Sequence, residues 1–448
     1  MQATLYGLVA SLALGLTACT AYQAKPLQAQ PNFAVPLTID AAAMPLPELA
    51  AHRFDASDGL DMTEVAMLAV ANNPQIKLAR ADSGISRAQA FAAGLLPDPQ
   101  LNLTRDFPTN GTAANTSAFN VGISYDFGAL VARSAGLDAA RAATRQTDLK
   151  LLWQEWQVVS QARLLFVRTL MQQRLMAILQ DEQALFADRY ARVKTALERG
   201  DVTRDAASID LAAVQAIDAR IDDLARQSAA SRHDLNALLG LAAETKLVLS
   251  GERVTPGLDK NAVYSALKNV ADRRPDLRAL QAGYASQEAR YRQAVLAQFP
   301  ALNIGITRAR DTSGLYTQGF GITLSLPIFN RNRGNIAIES ATRERLHEEY
   351  QTRLNAAVFE VERMLAEQQQ FTAQWQRVEA SLAGLQSTAT AGENAYRRGA
   401  LDDLVYLNLR ANLLNRRVDA LSLQQSLLEQ QVAMQTLLGS LPQAAPTR

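Results

Sequence analysis

The sequence predicts a mainly helical protein with a small membrane-spanning β part. It reads as an internally duplicated barrel of long helices, carrying four strands per chain that only further copies of the chain can close. Three observations predict this: residues recur at an offset of about 200 positions, proline is missing from two long stretches, and two short segments alternate apolar and polar residues.

The chain of 448 residues opens on an apolar run, Leu5 to Ala18. It is too short to span a bilayer as a helix and has the length of a signal-peptide core, so residues 1–18 read as a signal peptide. The run closes on Leu16-Thr17-Ala18-Cys19, which resembles the lipobox of bacterial lipoproteins, and Cys19 is the only cysteine. Cleavage before Cys19 and acylation of its thiol are therefore expected; an ordinary signal with an incidental Ala-Cys is the alternative. With one cysteine, no intramolecular disulfide can form. Residues 19–60 read as a lipidated tether, since Pro26, Pro31, Pro36, Pro45 and Pro47 favour extended backbone. Thr20, rather than Asp, follows the cysteine, which is compatible with sorting to a Gram-negative outer membrane.

The duplication sets the boundaries. Pro74 and Pro275 lie 201 positions apart, as do Pro99 and Pro300, and Leu101-Asn102-Leu103 matches Leu302-Asn303-Ile304 at that offset. Arg199-Gly200 matches Arg398-Gly399, and Leu238-Leu239-Gly240 matches Leu437-Leu438-Gly439, both at 199. Residues 61–250 and 251–441 are therefore expected to be two copies of one unit, each a helix, two strands, a very long helix, a turn and another long helix; residues 442–448 form a tail. No proline occurs between Pro108 and Pro256 or between Pro327 and Pro442, and a proline inside a helix costs about 3 kcal/mol. A helix of roughly 60–70 residues reaches on the order of 100 Å, far beyond what a globular core needs. On the last helix, Leu404, Leu407, Ala411, Leu414 and Val418 form one stripe, and Leu409, Leu413, Ala420 and Leu427 a second. Two seams suit a stave with neighbours on both sides, although a buried helix of a large bundle would show them too.

Strands are expected over 100–107, 118–127, 301–308 and 318–328. Phe119, Val121, Ile123 and Tyr125 alternate with Asn120, Gly122 and Ser124; Phe320, Ile322, Leu324 and Leu326 line the equivalent face. Period-two alternation of this length fits a strand with one face to lipid. Sheets in lipid must close, and four strands are fewer than the smallest common barrel of about eight, so several chains must combine. Asn110-Gly111-Thr112 and Asn115-Thr116-Ser117 fit a glycosylation sequon, a false positive in a bacterial lipoprotein.

Other classes are disfavoured. Lys+Arg number 45 against 44 Asp+Glu, without the basic excess of a nucleic-acid binder. Three scattered histidines build no histidine-rich metal site, Met62 with Met67 reads as helix packing, and no cofactor is implied. No nucleotide loop, metalloprotease helix or nucleophile elbow is present, so no catalytic residue is assigned.

The residues Asn72-Asn73-Pro74, Arg273-Arg274-Pro275-Asp276-Leu277, Leu324-Ser325-Leu326-Pro327-Ile328-Phe329-Asn330 and Tyr396-Arg397-Arg398-Gly399 resemble the TolC-type outer-membrane efflux factors over nearly all of the mature chain. The resemblance implies a homotrimer whose twelve strands form one outer-membrane β-barrel, a helical tunnel across the periplasm, and as partners a periplasmic adaptor and an inner-membrane pump. The segments 93–99 and 329–334 look most like heavy-metal-efflux members, which serve pumps of the resistance-nodulation-division class. Drug efflux, type I secretion and a non-channel coiled-coil scaffold are the alternatives. The turns at Arg199-Gly200 and Arg398-Gly399 are then the adaptor-docking tip, and their glycines also suit plain helix caps. Asp402, Asp403, Asp201 and Asp205 are candidates for an acidic ring at the pore gate, with N-capping as the competing role for Asp402.

Overall fold

A computed structural model of the chain describes residues 22–33, 39–109, 116–251 and 259–439. Cys19, Asn110, Asn115 and the 442–448 tail lie outside the described residues. The chain divides into residues 1–34 and 35–448. In the first unit, residues 22–33 are exposed and form no regular element; every element named below belongs to the second.

A strap of residues 39–61 comes first. Leu46 and Leu49 are buried, and Leu60 bridges to Leu249 in parallel. Helix α1 (Met62–Asn72) starts at Asp61, whose carboxylate accepts from the Thr63 and Glu64 amides while Glu64 accepts from the Asp61 amide. That reciprocal cap satisfies donors the helix start leaves open. Seven consecutive residues, Glu64 to Val70, are buried, so α1 is enclosed on all sides rather than amphipathic. Helix α2 (Pro74–Gly94) follows at once, with Pro74 in its first turn and Asn73 accepting from the Gln75 and Ile76 amides.

After strands β1 (Gln100–Asp106) and β2 (Ala118–Asp126), helix α3 (Phe127–Arg199) runs for 73 residues, about 110 Å at 1.5 Å per residue. Helix α4 (Arg204–Leu238) returns along it. The second copy repeats the order: α5 (Lys260–Leu267), a single turn at Val270–Arg273, α6 (Pro275–Leu296), β3 (Leu302–Arg310), β4 (Tyr316–Leu324), α7 (Arg333–Arg397) and α8 (Asp403–Leu437). Helix α8 packs on α7 and on α3, so the long helices stand in the order α4, α3, α8, α7. Leu179, Phe186, Ile217, Leu224, Leu407 and Leu414 form a core between α3, α4 and α8. Residues of both α8 stripes are buried, among them Leu407, Leu414, Leu413 and Leu427.

The two copies share a backbone lock. Asn73 Nδ2 donates to the Leu238 carbonyl at 2.9 Å, and at the equivalent place Arg274 Nη1 reaches the Leu437 carbonyl at 3.5 Å. Beside each carbonyl stands a glycine with left-handed backbone, Gly240 (φ 64°) and Gly439 (φ 67°). A Cβ on Gly240 would lie 2.7 Å from the Asn72 carbonyl oxygen, whereas one on Gly200 (φ 81°) would meet nothing within 4 Å. Gly200→Ala is accordingly expected to cost about 1 kcal/mol and Gly240→Ala about 3 kcal/mol. Thermal unfolding of the two variants side by side checks the difference.

The four strands form one antiparallel sheet in the order β1-β2-β3-β4. Register pairs Leu101 with Ile123, Ile123 with Ile306, and Ile306 with Phe320. One face therefore carries Leu101, Leu103, Phe119, Val121, Ile123, Tyr125, Ile304, Ile306, Phe320, Ile322 and Leu324. The other carries Asn102, Asn120, Gly122, Ser124, Asn303, Gly305, Thr307, Gly319, Gly321 and Thr323. The apolar face is exposed: Leu103 is 66% and Phe320 78% accessible. Leu326 departs from expectation, because β4 ends at Leu324. The Ser325 amide makes a last bond to the Ala301 carbonyl; Pro327 then has no N–H to offer, so the ladder cannot continue through it. Phe127 likewise opens α3 instead of closing β2.

Candidate functional site

The ends of the long helices distant from the sheet in sequence are built by two matching turns. Gly200 takes the left-handed conformation and the Asp201 amide bonds back to the Ala196 carbonyl at 2.9 Å; Gly399 (φ 71°) and the Ala400 amide do the same to Ala395. Thr203 Oγ1 accepts from the Ala206 amide to start α4, and Asp402 Oδ1 accepts from the Leu404 amide at 2.8 Å to start α8.

Just inside these turns, Arg189 of α3 draws four helices together. Its side chain is 3% exposed; Nε lies 2.5 Å from Asp210 Oδ1 on α4, and Nη2 lies 2.9 Å from Asp403 Oδ1 on α8. The guanidinium carbon sits 4.6 Å from the centroid of the Tyr396 ring, at the end of α7, and 5.5 Å from that of Tyr406 on α8. Those two rings stack at 4.6 Å. Burial works against the charge of Arg189, but the Asp210 and Asp403 carboxylates outweigh it and hold the group firmly protonated. Burial raises the Tyr396 phenol, and Asp403, which accepts its hydroxyl hydrogen, raises it further against the pull of Arg189. A second pair lies on the same helices: Arg410 grips Glu182 with two bonds of 2.9 and 2.7 Å. The arrangement is a charged latch between helices, with no reacting nucleophile. Among the described residues, no group of three His, Cys, Asp or Glu is placed to hold a metal ion.

Residues 266–440 match the family described as outer membrane efflux protein. The match lies within the second repeat and covers about two fifths of the chain. Over 187 residues it is 31% identical to the pyoverdine export outer membrane protein OpmQ of Pseudomonas putida, covering 39% of each chain. Over 176 residues it is 27% identical to the cation efflux system protein CusC of Escherichia coli, covering 37% of this chain and 38% of that one. The matches thus span about two fifths of those relatives' length. A crystal structure of CusC superposes with a TM-score of 0.70 at 19% identity, covering 92% of this chain and 99% of that one. The open state of the Neisseria gonorrhoeae MtrE outer membrane channel gives 0.69 at 18%, covering 93% and 97%. At such identities these structures share the fold.

Arg199 and Gly200 lie on one exposed turn, and Arg398 and Gly399 on the other. Asp201 and Asp205 are exposed on the first of them, and Asp402 spends one oxygen on its cap. Asp403 is half-buried, with Oδ1 paired to Arg189 at 2.9 Å. Sequence reading missed Arg189, Asp210 and Tyr406, the members that bring Asp403 into a network. No local spacing marks them, since Arg189 and Asp210 sit on different helices and meet only through the register of α3 against α4.

Proposed function

We propose that this chain is the outer-membrane exit duct of a tripartite efflux system. The sheet carries the proposal: its apolar face is exposed, its opposite face is small and polar, and its outer strands β1 and β4 have free edges. Open edges are intolerable in lipid. Three copies of four strands close a barrel of twelve, apolar outside and polar within, and the paired long helices continue it as a tunnel. Cys19 adds a lipid anchor at the periplasmic side. An inner-membrane pump and a periplasmic adaptor complete the pathway, with heavy-metal cations as the cargo; the cation efflux relative CusC supports that substrate class. The somewhat higher identity to a pyoverdine exporter supports a second reading, export of a small organic chelator.

Full-length protein extracted in detergent should run as a heat-resistant trimer and conduct ions in planar bilayers. Extended monomers that stay soluble without detergent and do not conduct would favour the scaffold instead.

At the turns, charge reversal of Arg199 and Arg398 together should abolish cross-linking to the adaptor and lower efflux, with trimers intact. Both side chains are exposed and Gly200 and Gly399 already complete the caps, so stability should hold within about 0.5 kcal/mol. Deeper in, three copies of Asp403 narrow the pore as a ring of carboxylates, each tied to Arg189. Asp403→Ala should raise single-channel conductance and weaken block by divalent cations. Unchanged conductance and block in the Asp402/Asp403 double alanine variant would leave only the cap.

A further inference from the structure

Three arginines occupy the apolar face of the sheet at its hairpin end. Register sets Arg105 of β1 opposite Phe119 and Phe119 opposite Arg310 of β3, with Arg308 two residues further along β3, opposite Val121 and Gln318. Across two strand spacings the Cα atoms of Arg105 and Arg310 lie about 10 Å apart. Arg310 is fixed in place: it stands over the Phe119 and Tyr316 rings at 5.5 and 5.9 Å and donates to the Ser117 carbonyl at 2.7 Å. Arg105 rests on Phe107 at 5.1 Å and reaches only the Ser117 hydroxyl. Arg105 and Arg308 are exposed, and among the described residues none of the three has a carboxylate partner. The nearest acids are committed elsewhere. Asp106 alternates onto the opposite face, and Asp311 accepts from Ser313 and from the Leu315 amide within its own turn. Residues 110–115, NGTAAN, contain no acid.

Below the arginines the same face is grooved. A cavity of about 580 Å³ runs between Leu101, Val121, Ile306 and Phe320, and Arg308 with Gln318 stands at its hairpin end. An apolar channel headed by guanidinium groups that have no carboxylate partner has the polarity of one ligand class, an anionic amphiphile. We propose that each chain binds one phosphate-bearing membrane lipid here, an acyl chain in the groove and the phosphate on Arg105 and Arg308. This rests on the reading that the sheet crosses a membrane with its hairpins at the outer surface. An arginine on the lipid face of a barrel costs about 2–4 kcal/mol at mid-bilayer and almost nothing at the interface, so the three mark headgroup depth. Tyr125 and Phe127, edge to face at 5.3 Å, mark the other interface; Tyr125 lies six positions on from Phe119, about 20 Å along a strand. The planar guanidinium takes a phosphate with two parallel bonds, which a lysine does not.

The test uses full-length protein in detergent, taken only from preparations that conduct in planar bilayers. Bis-phosphorylated lipid A, its phosphatase-treated form and inorganic phosphate are each added, and bound lipid is counted by native mass spectrometry. Lipid A should be retained about tenfold better than the dephosphorylated form, and the Arg105→Gln/Arg308→Gln variant should lose about tenfold. Arg308→Lys, which keeps the charge, should fall between and serves if the double variant yields no trimer. Equal retention of the dephosphorylated glycolipid, unchanged binding by the variants, or displacement by millimolar inorganic phosphate would overturn the lipid site. Failure of the wild-type protein to insert and conduct would instead strike the duct reading beneath it.

Discussion

Replacing Arg189 with Met is expected to cost about 3–5 kcal/mol, because it leaves Asp210 as an uncompensated charge in a site where its side chain is 2% exposed. The loss extends beyond the ion pair. The guanidinium also occupies the space beside the stacked Tyr396 and Tyr406 rings, so its removal loosens α3 from the end of α7 and the start of α8. Two controls separate these effects. Asp403→Asn removes only the arm whose side chain is 43% exposed and should cost about 1 kcal/mol or less. The Arg189→Met/Asp210→Leu double variant removes both buried charges and should recover most of the loss. Thermal unfolding of detergent-purified protein reads the stabilities. Conductance should rise in the single Arg189 variant whether or not stability is restored by the second change, because Tyr396 and Asp403 have lost their common partner in both.

Arg274→Ala should be nearly as damaging, again by about 3–5 kcal/mol. Its side chain is fully buried, grips Asp276 through Nε and Nη2 at 3.0 and 2.8 Å, and lies 5.1 Å from the Trp153 ring centroid. Arg353 also contacts Asp276, at 2.9 Å, but is 38% exposed, and Arg353→Ala should cost about 1 kcal/mol. Burial favours the neutral acid at Asp276, yet Arg274 and Arg353 outweigh it and hold the carboxyl below its ordinary range. A depressed carboxylate stabilises the fold above its unfolded pKa of about 3.9 and loses that contribution as pH falls through the native value. Wild-type protein should therefore lose part of its stability below about pH 4, and Asp276→Asn should flatten that limb of the curve. Glu155 acts in the opposite sense. Burial raises it despite its bond to Arg80, so its protonation favours the native state as pH falls.

Much of the fold was legible because it is written in periodic or punctuating residues. The missing prolines delimit α3 with α4 and α7 with α8, and period-two alternation locates all four strands to within a few residues. Leu326 misled because its apolar alternation continues past the point where Pro327 ends hydrogen bonding. The strap was opaque: Leu46 and Leu49 are buried singly, with no period to announce them. At the site, the two glycine turns could be read from an offset, and Asp403 from its place after the second turn. Its partner could not, since Arg189 and Asp210 are 21 positions apart, and Glu182 and Arg410 are 228 apart. Such contacts depend on how helices about 110 Å long are registered, a property of packing rather than of any short stretch.

The lock that the two repeats share also constrains their history. An amide at Asn73 and a guanidinium at Arg274 fill one ancestral socket, but they make different demands on a neighbour. The amide is neutral and needs only the carbonyl it meets; the residue two places on is Gln75. The guanidinium needs a counter-charge, and the residue two places on is Asp276, which supplies it. A copy holding the arginine without the aspartate would leave a fully buried cation with only the distant Glu360, 3.8 Å away and 38% exposed, whereas one holding the aspartate without the arginine keeps a carboxylate with Arg353 at 2.9 Å and some solvent access. Whichever half departed from the ancestor, the less costly mutational route runs through the second intermediate: acid acquired before base, or base surrendered before acid.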